Sequence, residues 1–133
     1  MIVLDASVVV KWFQEESDSE QALYFEKLHV NGEETIAVPD LLFYEVASVF
    51  CHKKGVTNEA ADAALDTLAQ MEIRTFTFSP LEMKEVFRFA RTYAISVYDA
   101  IYAVLAQKLG CSFVTADRML YNKLKKFSWV KLL

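Results

Sequence analysis

Four carboxylic acids stand in stretches that otherwise read as hydrocarbon. Asp5 follows Met1-Ile2-Val3-Leu4 directly, and Asp117 follows Phe113-Val114-Thr115-Ala116 in the same manner. Asp99 opens the apolar stretch 100–109, and Glu45 is embedded in Leu41-Leu42-Phe43-Tyr44-Glu45-Val46-Ala47. Each has a plain structural alternative. Asp5 and Asp117 are placed to cap helices. Asp99 lies three residues after Ser96, the spacing of a capping box. Glu45, Ser48 and His52 follow steps of three and four, a polar stripe that either meets solvent or lines a cleft. Together the four acids point to a cluster. Two unpaired carboxylates ~4 Å apart repel by about 4 kcal/mol at an effective dielectric near 20. A cluster therefore implies a divalent cation or raised pKa values. Oxygen donors without grouped His or Cys select Mg²⁺ or Mn²⁺. Such ions polarise a phosphodiester and stabilise its leaving oxygen. No His falls beside any of the four acids, so a metal-activated water is a better candidate base than an imidazole.

The elements that must hold these acids follow from the apolar pattern. Residues 1–4 read as a buried strand and 7–13 as a short apolar helix or turn. A helix is expected over 17–29, capped by Ser17 or Ser19. A second strand covers 35–38 and ends at Pro39. Asp40 is placed to cap a helix to about residue 54, with Gly55 as its stop. Asn58 is placed to cap a helix over 59–71. Residues 74–78 alternate like a strand, and Ser79-Pro80 opens a helix to about residue 93. Ser96 caps a helix that Gly110 ends. Residues 112–115 form a strand, Thr115 or Asp117 caps a helix to about residue 126, and 129–132 form a last strand. Strands separated by helices require crossover connections, hence a mainly parallel sheet covered on both faces. In such sheets functional groups gather at the carboxyl ends of the strands. Two strands ending in Asp bring both acids to that edge.

Composition narrows the possibilities. The 133 residues are 54% hydrophobic, which excludes disorder and fits one compact domain over 1–133. No apolar run approaches the ~20 residues of a membrane span, and the opening residues lack the basic and small-residue marks of a signal peptide. With three Gly and two Pro, and neither G-x-G-x-x-G nor a P-loop, the glycine-rich phosphate cradles are missing. Cys51 and Cys111 read as small buried apolar side chains rather than a disulfide, and His29 and His52 have no zinc-ligand spacing with them. A cytoplasmic location is expected. The net charge of −4 argues against coating nucleic acid by bulk charge. From Arg118 onward, however, there are five basic residues and no acid. That tail is either a solvated face or an edge that meets phosphate.

The motifs also carry a resemblance. Val3-Leu4-Asp5-Ala6-Ser7 followed by Val8-Val9-Val10-Lys11-Trp12-Phe13 resembles the opening of PIN-domain ribonucleases, and in particular of VapC toxins from toxin–antitoxin pairs. Pro39-Asp40-Leu41 through Glu45-Val46 is similar to the second motif of that family. Tyr98-Asp99-Ala100-Ile101-Tyr102 is similar to the third, and Phe113-Val114-Thr115-Ala116-Asp117 to the fourth. The four occur in order across essentially the whole chain. The resemblance implies an α/β fold, a Rossmann-like three-layer sandwich with a central five-stranded parallel sheet flanked by helices. It implies that Asp5, Glu45, Asp99 and Asp117 share a Mg²⁺ or Mn²⁺ site. On the residues themselves, Asp5, Asp99 and Asp117 are expected to anchor the ion directly or through water, and Glu45 to bind through water or orient the attacking water. The resemblance further implies cleavage of RNA to a 5′-phosphate and a 3′-hydroxyl, transfer or ribosomal RNA being plausible targets, together with a VapB-like antitoxin and a homodimer. Ser7 and Thr115 match positions where the family often has a small hydroxyl. Lys11 and Arg118, beside the first and fourth motifs, are candidates for phosphate contact. An antitoxin peptide needs an apolar groove, and Trp12, Phe13, Tyr24 and Phe25 include candidates to line one.

Arg118, Met119 and Leu120 follow Asp117 where family members often carry a further acid or amide, which favours one firmly held ion. A haloacid-dehalogenase-like phosphatase needs a second Asp where Ser7 stands. A receiver domain needs an Asp at the end of a central strand, where Phe76-Thr77-Phe78 gives way to Ser79-Pro80. Two readings stay open beside the toxin: an RNA-processing nuclease without an antitoxin, and a non-catalytic domain that binds RNA or protein.

Overall fold

A computed structural model describes residues 1–133. Five strands form one parallel sheet: β1 (Ile2–Leu4), β2 (Ile36–Pro39), β3 (Arg74–Phe76), β4 (Ser112–Thr115) and β5 (Val130–Leu132). Their order is β3-β2-β1-β4-β5. In the central strand β1, Ile2 aligns with Ile36 on one side and with Ser112 on the other. Every residue of β1 and β2 is buried, as a parallel sheet covered on both faces requires. The edge strands are three residues long and expose Arg74 and Lys131, features that discourage pairing with another chain. The sheet and its helices form the expected α/β three-layer sandwich.

Seven helices connect the strands: α1 (Ala6–Val9), α2 (Ser19–Val30), α3 (Leu41–His52), α4 (Asn58–Gln70), α5 (Met83–Tyr93), α6 (Val97–Leu109) and α7 (Arg118–Leu124). Helix α6, which buries more residues than any other helix, packs against β1, β2 and β4. It buries Tyr102, Ala103, Leu105 and Ala106 in a core shared with Val3, Leu4, Ile36, Val38 and Phe113. Each such large side chain contributes about 1.5–3 kcal/mol on burial. A smaller cluster of Val86, Ala90, Ala100 and Val104 joins α5 to α6.

Several boundaries and caps differ from the sequence reading. Thr57, not Asn58, caps α4, its hydroxyl accepting from the Ala60 amide at 3.1 Å. Asp40 adopts helical backbone angles and makes no side-chain cap; its own amide donates to the carbonyl of Phe76, the last residue of β3, at 2.9 Å. The helix after Pro80 begins at Met83; Ser79 and Glu82 form a reciprocal box ahead of it. Cys51 is exposed on α3 and Cys111 partly so, against the expectation that both are buried. Cys51 follows Phe50, which takes the core-facing position of that turn. Gly110 does end α6, at φ 64°, a left-handed conformation that favours glycine.

Candidate active site

The strand order reverses direction between β1 and β4. Connections leave β1 toward β2 on one side, and β4 returns on the other. The crevice at the carboxyl ends of these two strands is where an open parallel sheet binds ligands. Asp5 and Asp117 follow those two ends. Asp5 also caps α1, its Oδ1 accepting from the Val8 amide at 3.3 Å. Asp117 caps α7, its Oδ1 accepting from the amides of Met119 and Leu120 at 2.9 and 3.1 Å. The capping alternatives are therefore real for both. They do not exclude the cluster, because a pocket of about 160 Å³ is lined by Asp5, Ala6, Ser7, Glu45, Asp99, Tyr102 and Asp117. The structure thus brings all four sequence-predicted acids to one place. Two larger clefts, of about 530 and 520 Å³, open at the amino ends of the strands, and neither gathers more than two carboxylates.

Hydroxyl groups fix the floor of the pocket. The Ser7 hydroxyl donates to Asp5 Oδ1 and accepts from the Ala116 amide at 2.8 Å. It lies 3.4 Å from Thr115 Oγ1, which accepts from the Asp117 amide at 3.0 Å. This chain of contacts ties the end of β1 to the end of β4. Ser7 and Thr115 therefore orient Asp5 and the Asp117 backbone.

Glu45 and Asp99 come from helices. Asp99 sits in the first turn of α6, and its amide donates to Ser96 Oγ at 3.0 Å. Only this backbone half of the capping box forms, and the carboxylate turns into the pocket. Glu45 lies on α3 and accepts from the Tyr102 hydroxyl at 2.5 Å. The polar stripe of α3 is therefore divided: Glu45 lines the pocket, whereas Ser48 and His52 are exposed. Sequence reasoning gave Tyr102 no role. The available signal was its place three residues after Asp99, on the same helix face.

The electrostatics are those of crowded anions. Asp5 is only 5% exposed. Burial pushes its carboxyl up to about 6 from the ordinary 3.8, outweighing the hydroxyls of Ser7 and Thr115 and the Val8 amide, while Asp99 repels it further. Burial also raises Glu45, against the Tyr102 hydroxyl and with repulsion from Asp99. Asp99 is raised by burial and by Asp117, and eased by Ser96 and Lys123. The Tyr102 phenol, buried and bonded to Glu45, is held well above its ordinary value and stays a donor.

Of the phosphate candidates, Arg118 is exposed in the first turn of α7. Lys11 is not free for that role. Its ammonium pairs with Glu16 and, at 2.9 Å, with Asp18. Among the aromatics suggested for a partner groove, Trp12 is buried and its indole N–H donates to the Ala22 carbonyl at 2.9 Å. Tyr24 is exposed and packs edge-on against Phe25.

This architecture, acids at the carboxyl edge of a five-stranded parallel sheet, defines a class, and the chain belongs to the PIN-domain family, whose model matches residues 2–126. It is similar to Ribonuclease VapC3 of Pyrobaculum aerophilum, at 30% identity over 129 residues, covering 92% of this chain and 93% of that protein. It is similar to the crystal structure of PAE2754 from the same organism, with a TM-score of 0.70, 25% identity, and coverage of 92% of this chain and 78% of that one. Its fold is also that of VapBC2 from Rickettsia felis, a structure bound to a DNA fragment from their promoter. There the TM-score is 0.68 and the identity 17%, with 100% of this chain and 98% of that one covered.

The family implies a divalent cation, and the residues present fit one. All donors around the pocket are oxygens, the set that suits a hard cation. The buried Asp5 carboxylate has no cationic partner, and a bound cation would supply the missing charge. No three acidic side chains stand in ready metal-holding geometry, so three direct anchors are not provided as the side chains lie. Mg²⁺ keeps several waters and takes one or two carboxylates, which this spacing accommodates.

Proposed function

We propose that this chain is a VapC-like endoribonuclease toxin that cleaves RNA at a carboxylate-bound Mg²⁺ or Mn²⁺ ion and is held in check by a VapB-like antitoxin. The observation that carries the reading is the convergence of Asp5, Glu45, Asp99 and Asp117 on one small pocket. The likeness to a protein named as a VapC ribonuclease over nearly the whole chain supports it. When bound, the cation neutralises the phosphodiester and stabilises the leaving oxygen. Asp5, buried with no cation beside it, and Asp99, raised by burial and by Asp117, would be its principal anchors, with Asp117 joining through water. Ser7 and Thr115 hold Asp5 in place. Glu45, oriented by the Tyr102 hydroxyl, would position the attacking water. Products carry a 5′-phosphate and a 3′-hydroxyl. The fitting substrate is a single-stranded RNA loop, as in transfer or ribosomal RNA, because a scissile phosphate must reach the bottom of a narrow pocket. The working unit is a homodimer in the cytoplasm. No helix is long and apolar enough to cross a membrane.

The test is cleavage of total RNA by purified protein with Mg²⁺ or Mn²⁺, beside EDTA and an identically purified Asp5→Asn protein. Cleavage confined to wild type with metal supports the reading. Equal cleavage by the variant overturns it. Binding of RNA without any cleavage would favour the non-catalytic alternative, and a neighbouring gene without antitoxin character would favour an RNA-processing role.

A further inference from the structure

A second cleft, of about 180 Å³, adjoins the acid pocket and shares Asp99 and Asp117 with it. Its remaining wall is of a different kind. It is built from the link between α5 and α6 (Ala94, Ile95 and Ser96) and from Met119, Leu120 and Lys123 of α7. Lys123 brings the only ammonium to either cavity. Its charge reaches Asp99 across the cleft, but no carboxylate closes on it as an ion pair. Its Nζ instead donates to the Ala94 carbonyl at 2.6 Å. Ala94 ends α5 in the left-handed region at φ 52°, which turns that carbonyl toward α7. The tether holds the charge at the cleft while leaving two of its three N–H donors unused. Other cations of the basic tail are differently placed: Lys126 lies over the Tyr93 ring at 4.3 Å, and Lys131 is exposed on the edge strand β5. Met119, at the lip of the cleft, is 75% exposed, a large apolar side chain left in water.

Taking the nuclease reading as given, we propose that this cleft is the subsite for the nucleotide next to the scissile phosphodiester, with Lys123 on its phosphate and Met119 against its base. The acid pocket and the cleft share a wall, so a strand with one phosphate among the acids runs on past Lys123. Its backbone there needs a cation, and the acids nearby repel any phosphate not so held. Base contact with an exposed apolar surface is tolerant of sequence.

The experiment separates this inference from the reading beneath it by measuring binding without catalysis. Fluorescence anisotropy of a labelled single-stranded RNA oligonucleotide is followed on full-length Asp5→Asn protein in EDTA, between about 50 and about 200 mM salt. Lys123→Gln is then added; its amide keeps a donor for the Ala94 carbonyl and loses the charge. Lys123→Arg and Lys131→Ala are the controls, and thermal melting checks the fold of each. Lys123→Gln is expected to weaken binding about tenfold and to lower the slope of log affinity against log salt by about one. Arg is expected to restore both, and Lys131→Ala to change neither. In the cleaving background, Lys123→Gln is expected to raise KM about tenfold with kcat within about twofold. An unchanged slope and affinity overturn the subsite even if wild type cleaves RNA. A changed slope in a protein that never cleaves keeps Lys123 and this cleft as an RNA-binding site and overturns the nuclease reading beneath it.

Discussion

The chain holds acids in two contrasting ways. In the loop between α1 and α2, Glu16 and Asp18 close on one ammonium, that of Lys11, and Lys53 lies 3.6 Å from Glu16. The hydrogen bond from Lys11 pulls both carboxyls below their ordinary values. Around the acid pocket, Asp5, Glu45 and Asp99 are raised instead, each first by burial. Folding is helped by charge in the first region and opposed by it in the second. A protein keeps an electrostatically unfavourable group when that group serves something other than stability. The contrast singles out the pocket, where three raised acids meet, as the candidate site on grounds independent of any motif.

The sharpest way to break the contrast is Asp5→Asn. Cleavage is expected to fall by at least ~10²-fold, the scale for losing a positioned catalytic group. Stability in EDTA is expected to move the other way. The folded carboxyl titrates near 6 and the unfolded one near 3.8. Between those values the folded state keeps a proton that the unfolded chain has released, so wild-type stability falls as pH rises through that window. The gap corresponds to about 3 kcal/mol, which the neutral amide recovers above pH 6. Urea unfolding at pH 8 should show the variant more stable, and the difference should vanish below about pH 4. A variant less stable at pH 8 would mean that the cap to Val8 outweighs the buried charge.

Asp99→Asn is expected to abolish cleavage with a smaller rise in metal-free stability. The bond it contributes as a cap runs from its own amide to Ser96 Oγ, and the substitution leaves that amide in place. A loss of about 1 kcal/mol or more in EDTA would show the carboxylate acting as a structural cap after all.

Tyr102→Phe should fall between. Tyr102 is 1% exposed and its hydroxyl donates a hydrogen bond to Glu45, so removing it costs about 1.5–3 kcal/mol, the range for a hydrogen bond to a charged group. Glu45 then loses the one contact that lowers its pKa. The acid limb of the pH–rate profile should therefore shift upward, and kcat should drop about tenfold. A profile that keeps its position would show Tyr102 to be only a packing group against Phe113, on which its ring stacks at 6.2 Å.

What could be read from the chain beforehand follows from locality. Asp5 and Asp117 were legible because an acid directly after a buried strand has one place to be in a parallel sheet. The sheet itself was legible for the same reason, since Ile2-Val3-Leu4 and Ile36-Ala37-Val38 carry continuous apolar runs. Glu45 was ambiguous, because a helix stripe does not state which way its ends face; α3 resolves it by passing the pocket at one end and solvent at the other. Tyr102, Lys123 and the caging of Lys11 were not legible as such. Each depends on a partner 57, 29 or 5–7 residues away whose approach is set by packing rather than by spacing. Thr57 displaced Asn58 as a cap by a single position, a choice that local propensity does not make.

The smallest effect tests the other half of the contrast. Lys11→Ala removes the ammonium shared by Glu16 and Asp18 and leaves the acid pocket untouched. Its contribution is present above the ordinary carboxyl values and is lost as pH falls through the lowered folded ones, so it operates at neutral pH and fades in acid. Pairs of this partly exposed kind contribute at most about 1 kcal/mol and weaken with salt. The variant should therefore unfold at slightly lower urea in dilute buffer and match wild type near 1 M salt, with KM for RNA unchanged. A clear rise in KM would return Lys11 to the substrate path, and the loop's acids would then be competitors for its charge rather than its purpose.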